Sequence, residues 1–150
     1  MRLFNMESMN RNLVYFKWYK ILFLTMLIDP IFVMYAYSEG LSVNQIFILT
    51  SIETILIIFL EVPTGIISDL FGYKISMVFA VLCYIFSNII IMIFPTFISF
   101  VLCEVFIALC KVLSSGADET YLYLTLDNKD DYTKISGALD SINFLITGII

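Results

Sequence analysis

Five ionisable side chains stand inside apolar stretches of this chain. Asp29 and Glu53 lie within long runs of aliphatic and aromatic residues, and Glu104, Lys111 and Asp118 follow at intervals of seven along another run. A charge at mid-bilayer costs about 2.5–3.5 kcal/mol on insertion scales, so it usually faces a partner or a water-filled cavity. Asp29, Glu53 and Lys111 fall at similar depth on three segments, so two acids and one lysine can meet inside a helix bundle. Two readings stay open. One is a polar cavity for substrate or proton coupling, in which a desolvated acid without its cation takes up a proton; the other is a structural ion pair between packed helices. The spacing of seven puts Glu104, Lys111 and Asp118 on one helical face, with Ala108 and Ser115 between them. Their separation of about 10 Å along the axis is too long for direct salt bridges. Such a stripe either lines an aqueous path or is buried against the first two helices.

Composition identifies the medium in which these charges sit. Of the 150 residues 61% are apolar and 14% charged, and the mean hydropathy is far above that of a soluble domain. About 20 residues cross the hydrocarbon core, so roughly five or six crossings fit. The runs are long and do not alternate, which selects helices over a closed barrel. The expected fold is all-α, a polytopic transmembrane bundle with helices at about 18–38, 43–67, 75–94, 97–126 and 135–150. Tyr15, Trp18 and Tyr19 mark a membrane interface, and Pro95 separates the third helix from the fourth. The stretch EVPTGIISDLFGYK (61–74) reads as a tight turn between two membrane helices, and DNKDDYTK (127–134) as a hydrophilic loop.

The cations set the orientation. Arg2, Arg11, Lys17 and Lys20 precede the first helix, Lys74 lies in the next turn of the same side, and Lys129 and Lys134 lie in the third. The intervening turns carry none, so the amino terminus is expected to be cytoplasmic in a multi-pass plasma (cytoplasmic) membrane protein. Residues 135–150 span only about 24 Å against a core of about 30 Å, so the chain is expected to be part of a larger bundle.

Several function classes are excluded by what is absent. There is no histidine and no basic tract, which leaves no nucleic-acid footprint and no imidazole chemistry. The net charge of −5 says little about partners, because Asp29, Glu53, Glu61, Glu104 and Asp118 lie in or at the ends of apolar segments. Cys83, Cys103 and Cys110 lack paired spacing and read as packing residues, so neither a metal site nor a cofactor is expected. Ser114 and Ser115 have no evident base on their face, and an enzyme is not expected. Asn88 reads as an interhelical hydrogen-bonding residue in preference to a cavity residue. Gly116, Ala117, Gly137 and Ala138 read as points of close helix packing.

The stretch GIISDLFGYK, with Gly65, Asp69, Gly72 and Lys74, resembles the signature loop of the major facilitator superfamily. The preceding EVPT, with Glu61 and Pro63, is similar to a variant of its drug-efflux-like branch, and SSGADETYLY (114–123), with Ser115, Gly116, Asp118 and Glu119, resembles a second element of that branch. The resemblance covers the chain as the amino-terminal part of a twelve-helix transporter with its substrate cavity between two halves. It implies alternating access, with Asp69 as a gate acid that meets the far half. Leu70 and Tyr73 stand where the family usually has cations, leaving Lys74.

The function expected from this combination is proton-coupled efflux of a small apolar or cationic compound. Asp29, Glu53, Glu104 and Lys111 are the cavity and coupling candidates. The expected partners are the lipid bilayer, the substrate, protons, and a missing carboxy-terminal half or another membrane chain. The alternative is a non-transporting subunit or inactive fragment that packs against other membrane helices.

Overall fold

The structure, a computed structural model, describes residues 13–16, 18–20, 28–126, 129–138 and 141, with the side chains of 28–30, 65–67, 69 and 71 outside that description. All regular structure among the described residues is helical: residues 13–16 and 18–20, α1 (Ile28–Ser38), α2 (Val43–Phe71), α3 (Tyr73–Ile93) and α4 (Phe97–Thr125), then a 3-10 turn (Lys129–Asp131) and a helical stretch over 132–138. Among the described residues three helical segments are long and apolar enough to cross a bilayer: Val43–Thr64, Tyr73–Ile93 and Phe97–Thr125. At about 33, 32 and 44 Å they match or exceed a hydrocarbon core of about 30 Å, and they mark a membrane protein. Five crossings were expected; much of the first and fifth lies at 21–27 and 142–150, outside the described residues.

Apolar side chains point outward along these helices. Phe47, Ile58, Phe59 and Val62 of α2, and Val78, Phe86 and Met92 of α3, are exposed. Water would penalise such continuous apolar faces, whereas lipid tails accept them.

The helix starts have local causes. Ser42 caps α2 through a reciprocal box: its hydroxyl accepts from the Gln45 backbone N–H, and the Gln45 side-chain oxygen accepts from the Ser42 N–H at 2.8 Å. Ser42→Ala is expected to cost about 1 kcal/mol, read as a lower midpoint for unfolding in bicelles; an unchanged midpoint would remove the box from the account. Thr96 caps α4, its hydroxyl accepting from the Ser99 backbone N–H, just after Pro95 has ended α3.

The stretch 61–74 is the main departure from expectation. α2 does not stop near residue 67 but continues to Phe71, with Pro63 inside it, and α3 starts at Tyr73 instead of 75. Pro63 withholds the N–H that the Phe59 carbonyl would receive. The next residue back-bonds to its own helix, as the Thr64 hydroxyl donates to the Leu60 carbonyl at 2.6 Å and approaches that of Glu61 at 3.3 Å. The turn contracts to Gly72, at φ 90° and ψ 144°, whose N–H bonds the Ser68 carbonyl and whose carbonyl receives the Ser76 N–H.

The unit formed by Ile31–Glu119 has an apolar core of Phe32, Ala36, Leu41, Ile46, Leu49, Ile91, Phe100, Cys103 and Ile107. These residues come from α1, the turn after it, the start of α2, the end of α3 and the start of α4, so the core gathers around those helix ends. Phe100 is fully buried, edge-on to Phe32 and tilted against Tyr35 with ring centroids 5.9 Å away in both cases. The Tyr35 hydroxyl donates to the Ile91 carbonyl at 3.2 Å, tying α1 to α3.

The other unit comprises residues Met1–Pro30 and Thr120–Ile150. Phe16 is buried there against Tyr19 and Tyr121, while Tyr15 and Trp18 are exposed, as interface aromatics would be. The Lys129 ammonium donates to the Tyr123 and Leu126 carbonyls and lies 4.5 Å from the Tyr123 ring centre. It thereby caps the carbonyl end of α4, where the helix dipole favours a cation. Close packing at the glycines does not occur: a Cβ added at Gly116 or Gly137 would meet nothing within 4 Å. Ala117 is buried and Ala138 exposed.

Candidate functional site

The ion pair foreseen from the charges at similar depth is present in part. Nζ of Lys111 lies 2.8 Å from Oε1 of Glu53, joining α4 to α2. Lys111 is 14 residues into α4 and Glu53 is 10 residues into α2, which puts them about 21 and 15 Å from their helix starts and near mid-span. The contact is close enough for an ion pair, yet Oε1 is not engaged with hydrogen-bond geometry. Attraction is therefore electrostatic without the directional lock of an aligned N–H···O bond. The Asp29 side chain, the third member of the expected cluster, lies outside the described residues.

Lys111 belongs to a stripe along α4 made of Phe100, Glu104, Ile107, Lys111, Ser114, Asp118 and Leu122, which proceeds in steps of three or four. Every other member is buried; Glu104 and Asp118 are only 2% and 3% exposed. The Lys111 side chain is 45% exposed and that of its partner Glu53 15%. The stripe is thus buried above and below and open at its single cation.

Hydroxyls flank the pair. Thr50 and Ser115, one turn from Glu53 and Lys111, hydrogen-bond to carbonyls of their own helices, those of Phe47 and Val112. Thr64, Ser68, Ser76 and Ser114 are buried nearer the end of the helices where Gly72 turns the chain. The sequence reading weighed Ser114 only as a nucleophile and passed over Thr64, Ser68 and Ser76. The 64, 68 spacing on α2 was the available signal, since it is one helical turn.

The remaining site candidates are distributed as follows. Glu61, Pro63, Lys74, Ser115, Gly116 and Glu119 are exposed, and Gly72 is half-buried. Asp69 has its backbone in the last turn of α2, not in a loop; its side chain, like any side-chain detail at Gly65, lies outside the described residues. Asn88 keeps its described hydrogen bonds within its own helix, its amide donating to the Tyr84 carbonyl at 2.7 Å, which replaces the interhelical bond expected for it. Cys103 and Cys110 are buried in α4 and Cys83 is half-buried in α3, in keeping with packing roles. Comparison with protein-family models, curated proteins and solved structures found no match.

Proposed function

We propose that this chain supplies membrane helices of a transporter of the major facilitator type, which moves a small molecule across the bilayer in exchange for protons. The observation that carries the reading is the Glu53–Lys111 pair, held at mid-span between two helices that are each long and apolar enough to cross the membrane. Opposite charges in that position are costly to keep and are typical of substrate or ion pathways. The resemblance of residues 61–74 and 114–123 to transporter motifs supports it from the sequence side. Glu53 and Asp29 are the proton-coupling acids of this proposal, Lys111 and Glu104 complete its cavity, and Asp69 is its gate.

The helical backbone at residue 69 gives the gate a physical rationale. An acid in the last turn of a helix opposes the helix dipole by about 0.3–1 kcal/mol, a tension relieved when the acid meets the amino terminus of another helix. A conformation that brings such a terminus up to Asp69 is favoured over one that does not.

Proteoliposomes loaded with a pH-sensitive dye test the reading. The chain alone is expected to insert without flux; joined to the membrane helices that complete its bundle, it is expected to drive proton movement with members of a panel of apolar, cationic and zwitterionic compounds. Asp69→Asn should lower that flux about two- to fivefold, the rate equivalent of the dipole energy, with insertion unchanged. Glu53→Gln should flatten its pH dependence. Full insertion with no flux for any compound would leave the chain as a packing subunit, and unaltered flux in Asp69→Asn would remove the gate.

A further inference from the structure

Trp18, the chain's single tryptophan, is exposed together with Val14 and Tyr15. These two precede it by four and three residues in a helical stretch, so the three share one side of it. The stretch is pinned elsewhere: Phe16 is buried against Tyr19 and against Tyr121 of α4, with ring centroids 6.2 and 5.6 Å apart. Tyr121 lies 24 residues into α4, about 36 Å along a helix of which the hydrocarbon core takes about 30 Å. The exposed face is therefore held beside the part of α4 that has left the hydrocarbon, at the depth of the headgroups.

That depth suits these side chains. Water leaves their apolar area exposed and hydrocarbon leaves the indole N–H and phenol O–H without acceptors, whereas the headgroup layer serves both ends of each ring. Charge then selects the kind of headgroup. Residues 1–20 carry Arg2, Arg11, Lys17 and Lys20 against the single acid Glu7, in a chain that has eight cations against thirteen acids. Arg11 continues the sequence spacing of the exposed face, as 11, 14, 15 and 18, and Lys17 adjoins Trp18 in the sequence. Lys20 is engaged within the fold, as are Asp130 and Asp131 of the same unit, Asp131 with Lys134 at 3.5 Å.

We propose that the face of Val14, Tyr15 and Trp18 is a docking surface for anionic phospholipid, with its rings seated among the headgroups and the adjoining cations, Arg11 and Lys17 foremost, drawing lipids of net negative charge. The proposal rests on the chain being a membrane protein and is independent of transport.

Trp18 is itself the probe. The full chain is reconstituted in vesicles of equal parts phosphatidylcholine and phosphatidylglycerol, with one lipid at a time brominated near the headgroup end of its acyl chains. Bromine quenches an adjacent indole, so the ratio of the two quenching curves gives the lipid preference at Trp18. A cation near an anionic surface contributes about 1 kcal/mol, or roughly fivefold, so phosphatidylglycerol is expected to be preferred by at least about fivefold. Arg11→Gln with Lys17→Gln should bring the ratio to within about twofold of unity, as should salt at about 1 M, while Arg11→Lys with Lys17→Arg should keep the preference. The ratio compares two lipids on one protein, so a folding loss, which alters both curves, does not imitate the effect. Trp18→Phe with Met92→Trp moves the probe to an exposed position at the end of α3, where the two lipids should quench about equally. Equal quenching at Trp18 would mean an interfacial seat without selection for charge, and no quenching by either lipid would mean that protein covers the face. Either result would overturn the proposal, as would a preference that survives Arg11→Gln with Lys17→Gln or one that recurs undiminished at position 92.

Discussion

Lys111→Gln is expected to destabilise the bilayer-embedded chain by about 1–3 kcal/mol, more than Glu53→Gln, and the double variant by less than the sum of the two. The asymmetry follows from exposure. Without Lys111, Glu53 is an acid 15% exposed with its cation gone, whereas without Glu53 the lysine is still 45% exposed and its ammonium can move toward polar surroundings. Fully buried pairs lose about 3–5 kcal/mol when one partner is removed, and the partial exposure here lowers that figure. The double variant incurs only once the loss that the two single variants share, so a coupling of about 0.5–3 kcal/mol should appear in the double-mutant cycle. Unfolding in bicelles by a denaturing detergent, followed by far-UV circular dichroism, measures all four corners. Additive effects would mean that the 2.8 Å contact contributes nothing as a pair.

The meeting of Glu53 and Lys111 was legible in the sequence because opposite charges at equal depth in apolar segments have few alternatives to each other. The starts of α2 and α4 were legible for a local reason: Ser42 with Gln45, and Thr96 after Pro95, are signals that act within a single turn. The end of α2 was not. The expected helix of about 43–67 already passed through Pro63 and Gly65, but 61–74 read as a tight turn, whereas the helix continues to Phe71 and the turn is Gly72 alone. In a membrane span the alternative to a helical hydrogen bond is none at all, so the helix persists through the one bond that Pro63 withholds from the Phe59 carbonyl. Asn88 was misread because an amide can reach a carbonyl of the preceding turn as readily as a neighbouring helix. Gly116 was misread because close approach depends on which face meets a neighbour, which residue type alone does not specify. The openness of the α4 stripe at Lys111 is likewise tertiary. Its spacing identified the stripe, but only the packing around each member separates the enclosed acids from the accessible lysine.

Gly72→Ala is expected to cost about 1–3 kcal/mol, the strain of holding a non-glycine residue in a backbone region open essentially to glycine alone. The joint between α2 and α3 is this one residue, and its φ of 90° with ψ of 144° lies outside the left-handed helical well as well as the common regions. A Cβ there would meet no neighbouring atom within 4 Å, so the cost arises from the local backbone and cannot be relieved by repacking. Gly72→Asn separates this conformation from an ordinary helix cap. Asparagine readily takes the left-handed position that ends many helices, but it gains nothing at ψ near 144° and should be about as destabilising as alanine. Gly116→Ala, at an open position inside α4 with no such strain, should instead be neutral or stabilise by up to about 1 kcal/mol through helix propensity. Unfolding midpoints of the three variants in bicelles decide the matter. Recovery in Gly72→Asn would mean that the turn adopts a left-handed cap, and a loss in Gly116→Ala matching that of Gly72→Ala would mean that both effects come from added bulk.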